Sequence, residues 1–484
     1  MALCVALLIV LRQLGFSLYH LAVILAILLI LIIIAHYTIS LFMSKMNADS
    51  SPNNLDTLQL TEKMTETSVV DVTSIPLSLY IHIPWCVKKC PYCDFNSHEL
   101  PIDSQLSMYD DYVDALLLDA NMQQSLAQGR KISSIFIGGG TPSLLPIAQY
   151  QRLFSGLRSC FEFAEDIEIT MEANPGTLEH APFAQYLEVG INRLSIGVQS
   201  FDADKLKVLG RIHDPVQALS AIRAAKAAGF TRVNVDLMHG LPQQTMNEAL
   251  NDIQMAHDAG ATHISWYQLT IEPNTVFYRS QPILPDEDNL ADIEQAGQAL
   301  LQQLGYSNYE VSAWAGESDK PCRHNINYWQ FGDYLAIGAG AHGKVTIDCH
   351  ADRGSAPSKE SDKSENDLLA ESGIYRFSKS RLPKDYVGDI ETETSKSTQN
   401  VPKMVGWQAI DTDELVSEFM LNVLRLHGGV AWALFEQRTG LKLESVTTQV
   451  DKLIKQGLLI DSKTQLQPTL LGQRYLNQIL RAFL

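Results

Sequence analysis

The chain has 484 residues, 46 % of them hydrophobic, enough for two or three domains with a large core. Its formal net charge of −18 argues against nucleic-acid binding as the main activity, because a phosphate backbone needs a basic face. Of the seven cysteines, Cys4, Cys160, Cys322 and Cys349 are scattered without a disulfide-like spacing, which favours a reducing compartment.

Residues 1–45 differ from the rest. Asp, Glu, Lys and Arg are absent from Gln13 to Ser44, and Leu21 to Ala35 is one unbroken apolar run. About 20 mostly apolar residues suffice for one membrane span. Residues 13–44 therefore read either as a membrane anchor or as sequence upstream of a true start at Met46 or Met64. A secretory signal fits less well, since the run is long and no small-residue cleavage site follows. Arg12 and Lys45 are too sparse a flank to orient a span. Residues 46–75 are rich in Ser, Thr, Asn and Asp and read as a flexible linker.

From residue 76 to about 310, strand and helix alternate. Runs at 77–83, 134–140, 166–172, 192–198, 231–238 and 263–269 have strand character. Helical patterns lie near 105–127, 146–160, 179–188, 214–228, 246–258 and 286–304. Six such units imply a parallel sheet with helices outside. Six is fewer than a closed eight-fold barrel, so the expected class is α/β, a partial (β/α)6 TIM-like barrel.

The stretch Tyr80 to Phe95, YIHIPWCVKKCPYCDF, follows and overlaps the first strand. Cys86, Cys90 and Cys93 stand in C-x3-C-x2-C spacing. Thiolates at close spacing let one loop wrap one iron–sulfur cluster, and three thiolates leave one iron of a four-iron cube open. Pro84 and Pro91 keep the loop out of helix. Zinc is the competing reading, with His82 or His98 as fourth ligand. Parallel βα architecture places ligand sites at the C-terminal ends of strands, and unusual residues gather there. Cys86 follows strand one, Gly138–Gly139–Gly140–Thr141–Pro142 ends strand two, and Glu172 ends strand three. Gln199 follows strand four and Asp236 lies near the end of strand five. Each also has a plain structural reading: a tight turn for the glycines, helix caps or solvated side chains for the acids and amide, core aromatics for Tyr80 and Tyr92, and a surface ion pair for Arg211.

The cysteine spacing, with an aromatic just before the third cysteine, resembles the radical S-adenosylmethionine (SAM) superfamily. The longer string IHIPWC…CPYCDF resembles its oxygen-independent coproporphyrinogen oxidase-like branch. The resemblance implies a [4Fe-4S] cluster on Cys86, Cys90 and Cys93, with SAM chelated at the open iron and cleaved to a 5′-deoxyadenosyl radical. Gly139, Gly140 and Thr141 match a motif that contacts the SAM amino group. Tyr80, Tyr92, Glu172, Gln199, Arg211 and Asp236 match other positions of the SAM pocket.

Residues 311–348 carry a second signature. His324-Asn325-Ile326-Asn327-Tyr328-Trp329 resembles the HNxxYW motif of heme chaperones in that branch, which implies heme as cargo and heme-accepting proteins, respiratory enzymes among them, as partners. His324 is the expected heme ligand, with a hydrogen-bonded structural histidine as its alternative. Gly338, Gly340 and Gly343 are expected to form a turn over the barrel edge. Oxidases of the branch carry a further cysteine two residues after the third cluster ligand. Phe95 stands there in this chain, which favours chaperone over coproporphyrinogen III oxidase. A radical SAM enzyme acting on RNA is a third class, disfavoured by the acidic charge. The expected place of work is the cytoplasm, tethered to the inner membrane face if residues 13–44 anchor the chain.

Residues 349–401 are charged and serine-rich and read as a polar insertion, with 373–390 as a short edge hairpin. From 402 to 484, helical periodicity returns. Leu415, Phe419, Val423 and Leu426 share one face, and three helices with a short β-like segment resemble a winged helix. Its charge mix is ordinary, which favours packing over DNA binding.

Overall fold

The computed structural model describes residues 70–101, 106–180, 183–348, 372–396 and 406–484. The apolar run at 13–44, the linker up to residue 69 and most of the polar insertion lie outside the described residues. Among those described, no helix is long and apolar enough to cross a membrane.

One twelve-stranded sheet organises the chain. Its strands are β1 (Leu77–Ile83), β2 (Ile132–Gly139), β3 (Phe163–Ala173), β4 (Arg193–Gln199), β5 (Arg232–His239), β6 (His263–Gln268), β7 (Tyr306–Asn308), β8 (Ala313–Gly316), β9 (Asp333–Ile337), β10 (His342–Ile347), β11 (Gly373–Ser378) and β12 (Gln408–Ala409). Their spatial order is β12-β11-β10-β9-β1-β2-β3-β4-β5-β6-β8-β7. Strands β9 and β1 to β6 run parallel, while the flanking strands join antiparallel. The six expected βα units are present, and β9 adds a seventh parallel strand beside β1.

Alternation along each strand separates two environments. Leu79 and Ile81, Ile135 and Ile137, Ile169 and Met171, Ile196 and Val198, and Val233 and Val235 belong to the main core and are essentially inaccessible. The intervening residues are polar or aromatic: Ser78, Tyr80, His82, Ser134, Glu168, Glu172, Ser195, Asn234 and Asp236. A two-residue period thus turns an apolar face toward the helices and a polar face toward the inside of the half-barrel. The helices begin where the local chemistry dictates. Asp214 and Gln217 form a capping box ahead of Pro215–Ala227, and Thr245 with Glu248 does the same ahead of Met246–Asp258.

Residues 373–396 differ from the hairpin expected there. They form β11 followed by the helix Pro383–Lys396. The register pairs β11 with β10 from His342↔Ser378 to Ile347↔Gly373, and Pro383 opens the helix, where its missing N–H costs nothing. The glycine turn after β9 is real, with Gly338 and Gly340 at positive φ, but Gly343 belongs to β10.

The C-terminal domain has helices Thr412–Val423, Ala433–Thr439 and Thr447–Lys455, with a two-strand wing pairing Val430–Ala431 and Gln465–Leu466. Leu415, Phe419, Val423 and Leu426 are all buried in its core. That core continues through Phe331 and Ile374 into the sheet. Arg425 also sits 4.3 Å over the Trp329 ring.

The cysteine loop and the adjoining cavity

The loop after β1 is closed on itself. Trp85–Cys86 pairs with His98–Glu99, and the Lys89 ammonium donates to the carbonyls of Phe95 and Ser97 at 2.9 and 3.1 Å. Asn96 donates to the carbonyls of Ala339 and Arg381 at 3.0 and 2.8 Å, tying the loop to the turn after β9.

All three loop cysteines are free thiols, and each sulfur has its own polar neighbour. Thr141 donates to Cys86 Sγ at 3.5 Å. Arg211 Nη1 donates to Cys90 Sγ at 3.6 Å. The Ser97 hydroxyl lies 3.8 Å from Cys93 Sγ. Hydrogen bonds to ligand sulfurs help set a cluster's potential. Burial pushes the Cys86 and Cys93 thiols up, so a bound metal would have to supply the positive charge that keeps them thiolates.

The zinc reading fits these residues less well. His82 hydrogen-bonds through both ring nitrogens, to the Tyr80 hydroxyl at 3.0 Å and to the Asn96 carbonyl at 2.9 Å. His98 Nε2 lies 3.3 Å from the Arg381 carbonyl. Among the described residues, no three His, Cys, Asp or Glu side chains converge on one metal-ion position. A four-iron cube binds each thiolate at a separate iron, so it asks for no such convergence.

Beside the loop, the strand-end residues come together. Gly139 has φ +112°, and a Cβ there would lie 2.5 Å from the His82 ring. A Cβ on Gly140 would lie 2.5 Å from the Trp85 carbonyl oxygen. Both positions therefore need glycine to bring backbone against the cysteine loop. The Gly139 N–H donates to Glu172 Oε2 at 3.3 Å. Burial, reinforced by Asp236, pushes the Glu172 carboxyl up to about 8. Asp236 accepts from Ser195 at 3.0 Å and Asn234 at 2.8 Å, and burial raises its carboxyl too. Gln199 takes φ +72° at the end of β4 and accepts from the Tyr267 hydroxyl at 2.8 Å. Tyr92 packs toward Phe277, ring centroids 6.4 Å apart. Arg211 also donates to the Gly197 carbonyl, while its Nε is buried without a partner.

A cavity of 620 Å³ opens next to these residues. Its lining crosses six neighbouring strands, from Glu172 and Gly139 through Tyr80 and His82 to Tyr334, His342 and Ser378. Phe95 on the cysteine loop, Tyr328 and Arg381 complete it.

His324 does not reach that cavity. It is 2 % exposed and stacks on Phe136, centroids 5.1 Å apart. The reason is local. Helix Arg323–Trp329 starts at the buried Glu168 carboxylate, which accepts from the Arg323 and His324 N–H groups at 2.8 and 3.4 Å. That anchor draws the first turn into the half-barrel. Its fourth and fifth residues after His324, Tyr328 and Trp329, turn to the cavity and to the C-terminal domain. Sequence reasoning weighed His82 only as a zinc ligand and missed Tyr267, Tyr334 and His342. Period-two reading of β1 from Tyr80 points to His82, whereas Tyr334 and His342 sit on strands hidden in a glycine-rich run.

A half-barrel bearing this cysteine loop at the C-terminal end of its first strand defines a radical SAM protein. The model of the Radical SAM superfamily matches residues 80–256, and that of the HemN C-terminal domain matches residues 410–475. The heme chaperone HemW of Haemophilus influenzae is 45 % identical over 413 residues, covering 84 % of this chain and 98 % of that protein. HemW of Escherichia coli is 44 % identical over 409 residues, with the same coverage. Coproporphyrinogen III oxidase (HemN) from Escherichia coli, a solved radical SAM enzyme, shares the fold with a TM-score of 0.66 at 24 % identity, over 84 % of this chain and 90 % of that one. The chain belongs to the HemW family of the radical SAM superfamily.

Proposed function

We propose that this chain is a heme chaperone that holds a [4Fe-4S] cluster through Cys86, Cys90 and Cys93, binds SAM beside it, and passes heme to acceptor proteins. The observation that carries the reading is the closed three-cysteine loop, one polar neighbour per sulfur, opening on a 620 Å³ cavity with aromatic walls. Ligand pockets of roughly 300–1,000 Å³ suit organic molecules of cofactor size.

When bound, the cluster supplies an electron and one iron coordination site not filled by protein. This chain's residues do the rest. Gly139, Gly140 and Thr141 bring main chain and hydroxyl close to the loop. Glu172, neutral until SAM arrives, and its neighbour Asp236 receive the SAM amino group. The unpartnered Arg211 Nε faces a carboxylate, a directional charge-assisted contact. Gln199 and Tyr267 close the far wall, and Tyr80 and Tyr92 limit water.

Heme-dependent respiratory enzymes are the proposed acceptors, and residues 13–44 the proposed tether that would bring the chain near them. Fractionating cells that express tagged full-length chain tests the tether; a wholly soluble product starting at Met46 rules it out.

Anaerobic reconstitution followed by iron, sulfide and heme quantitation tests the whole reading. Wild type is expected to hold four non-heme irons and stoichiometric heme, and Cys93→Ala to lose non-heme iron. Decarboxylation of coproporphyrinogen under the same conditions would replace this reading with the oxidase one.

A further inference from the structure

His342 lies at the N-terminal end of β10 with its side chain exposed and lining the cavity. Its imidazole makes no hydrogen bond among the described residues, unlike His82 and His263, whose ring nitrogens are all engaged. Partial burial, with Arg376 and Arg381 nearby, lowers its affinity for a proton, which favours a neutral nitrogen donor at pH 7. Neutral imidazole is an ordinary axial ligand of heme iron.

The surroundings match the rest of a heme. Tyr328 and Tyr334 form one aromatic wall, ring centroids 4.2 Å apart. Phe95 reaches the cavity from the cysteine loop and is 61 % exposed. An aromatic so exposed beside a cavity has apolar surface that a flat macrocycle would cover. Two cations line the same space. Lys379 is committed to Asp119 at 2.6 Å. The exposed Arg381 side chain has no hydrogen bond or ion pair among the described residues. A guanidinium so placed suits a carboxylate. The acids of the lining, Glu172 and Asp94, belong to β3 and the cysteine loop.

We propose that His342, not His324, is the axial ligand of the carried heme, and that Arg381 pairs with a heme propionate. The proposal rests on the heme-chaperone reading above. Ligation forms one iron–nitrogen bond in place of a weakly held axial water, with no change of oxidation state. A ligand at the cavity mouth also suits cargo, since the bond must be broken from outside by an acceptor.

The test uses full-length, cluster-reconstituted protein titrated anaerobically with hemin. His342→Ala is expected to weaken hemin at least tenfold and shift the Soret band. His342→Cys is expected to give the band of a thiolate-ligated ferric heme. His324→Ala is expected to keep the wild-type band. Arg381→Ala is expected to weaken hemin about fivefold but leave hemin dimethyl ester unchanged. Wild-type spectra in both His342 variants overturn the ligand assignment while the chaperone reading stands. Wild type that takes up no hemin overturns both. Equal binding of hemin and its dimethyl ester by wild type overturns the Arg381 pairing. Iron and sulfide content of each variant confirms that the fold is kept, as expected for two exposed side chains.

Discussion

The guanidinium of Arg211 stands 3.6 Å from the sulfur of Cys90. It reaches there from a tight turn: helix Ala203–Val208 ends, Gly210 takes positive φ against Pro91, and Arg211 follows. One side chain thus touches a proposed cluster ligand while its Nε stays unpartnered. Hydrogen bonds to charged groups contribute about 1.5–3 kcal/mol, roughly 10- to 100-fold in affinity. Arg211→Lys keeps the charge but loses the fork. It is expected to weaken SAM by about tenfold in equilibrium dialysis and to leave four irons bound. Unchanged SAM affinity would place the arginine outside the pocket.

Gly139→Ala is expected to destabilise the protein by about 2–5 kcal/mol, combining a strained backbone with a clash. The added methyl meets the His82 ring, which is itself held by Tyr80 and Asn96. Gly129→Ala is the control, because Gly129 has φ +74° with nothing within 4 Å. Urea unfolding should therefore show a clearly smaller loss for Gly129→Ala. Equal losses would remove the argument for close approach at Gly139.

Glu172 gives a pH dependence with a definite sign. Its carboxyl is raised from 4.5 to about 8, so between those values the folded chain keeps a proton that the unfolded chain has released. Stability from this group falls as pH rises through that window and is lost above about 8. Asp252, raised to about 7 by burial, slopes the same way. The measurement is therefore the difference between wild type and Glu172→Gln, which should be less sensitive to pH from 4.5 to 8. A cationic SAM amino group next to Glu172 would lower its pKa. SAM binding at pH 7 should then release close to one proton, read by calorimetry in two buffers of different ionisation enthalpy. Glu172→Gln should abolish that release.

The barrel half of the fold was legible because its strands are short, β-branched and separated by capped helices. Each of the six runs marked in the sequence overlaps one of β1 to β6. Strands β9 and β10 were not, since DYLAIGAGAHG reads locally as a glycine turn and only pairing with β1 makes its first half a strand, whereas β11 is the first arm of the hairpin expected at 373–390. The same gap hides the depth of His324. His324 lies in a recognisable motif, but a motif carries no depth. Only the buried Glu168 carboxylate, distant in sequence, fixes that helix start inside the half-barrel. The cysteine loop was plain from spacing, yet Ser97 and Asn96, which brace it, have no spacing signature.

Glu168 is the residue on which the HNxxYW helix hangs, and charge at that point can be tested directly. Burial alone would raise its carboxyl, but Arg193 and Arg232 hold it below the usual range. It pairs with Arg232, caps two helix N–H groups and accepts from Cys322 Sγ at 3.4 Å. Glu168→Gln keeps the size but removes the buried negative charge beside Arg193 and Arg232, of which Arg232 keeps Asp319, a loss of about 3–5 kcal/mol. Asp166→Asn, two residues away on the same strand, removes an exposed carboxylate paired with Arg323 and should cost under about 1 kcal/mol. Both variants delete one acid that contacts the start of the same helix, so the change in charge is the same while burial and the number of hydrogen bonds differ. Similar urea midpoints for the two would show that the helix is not anchored by Glu168.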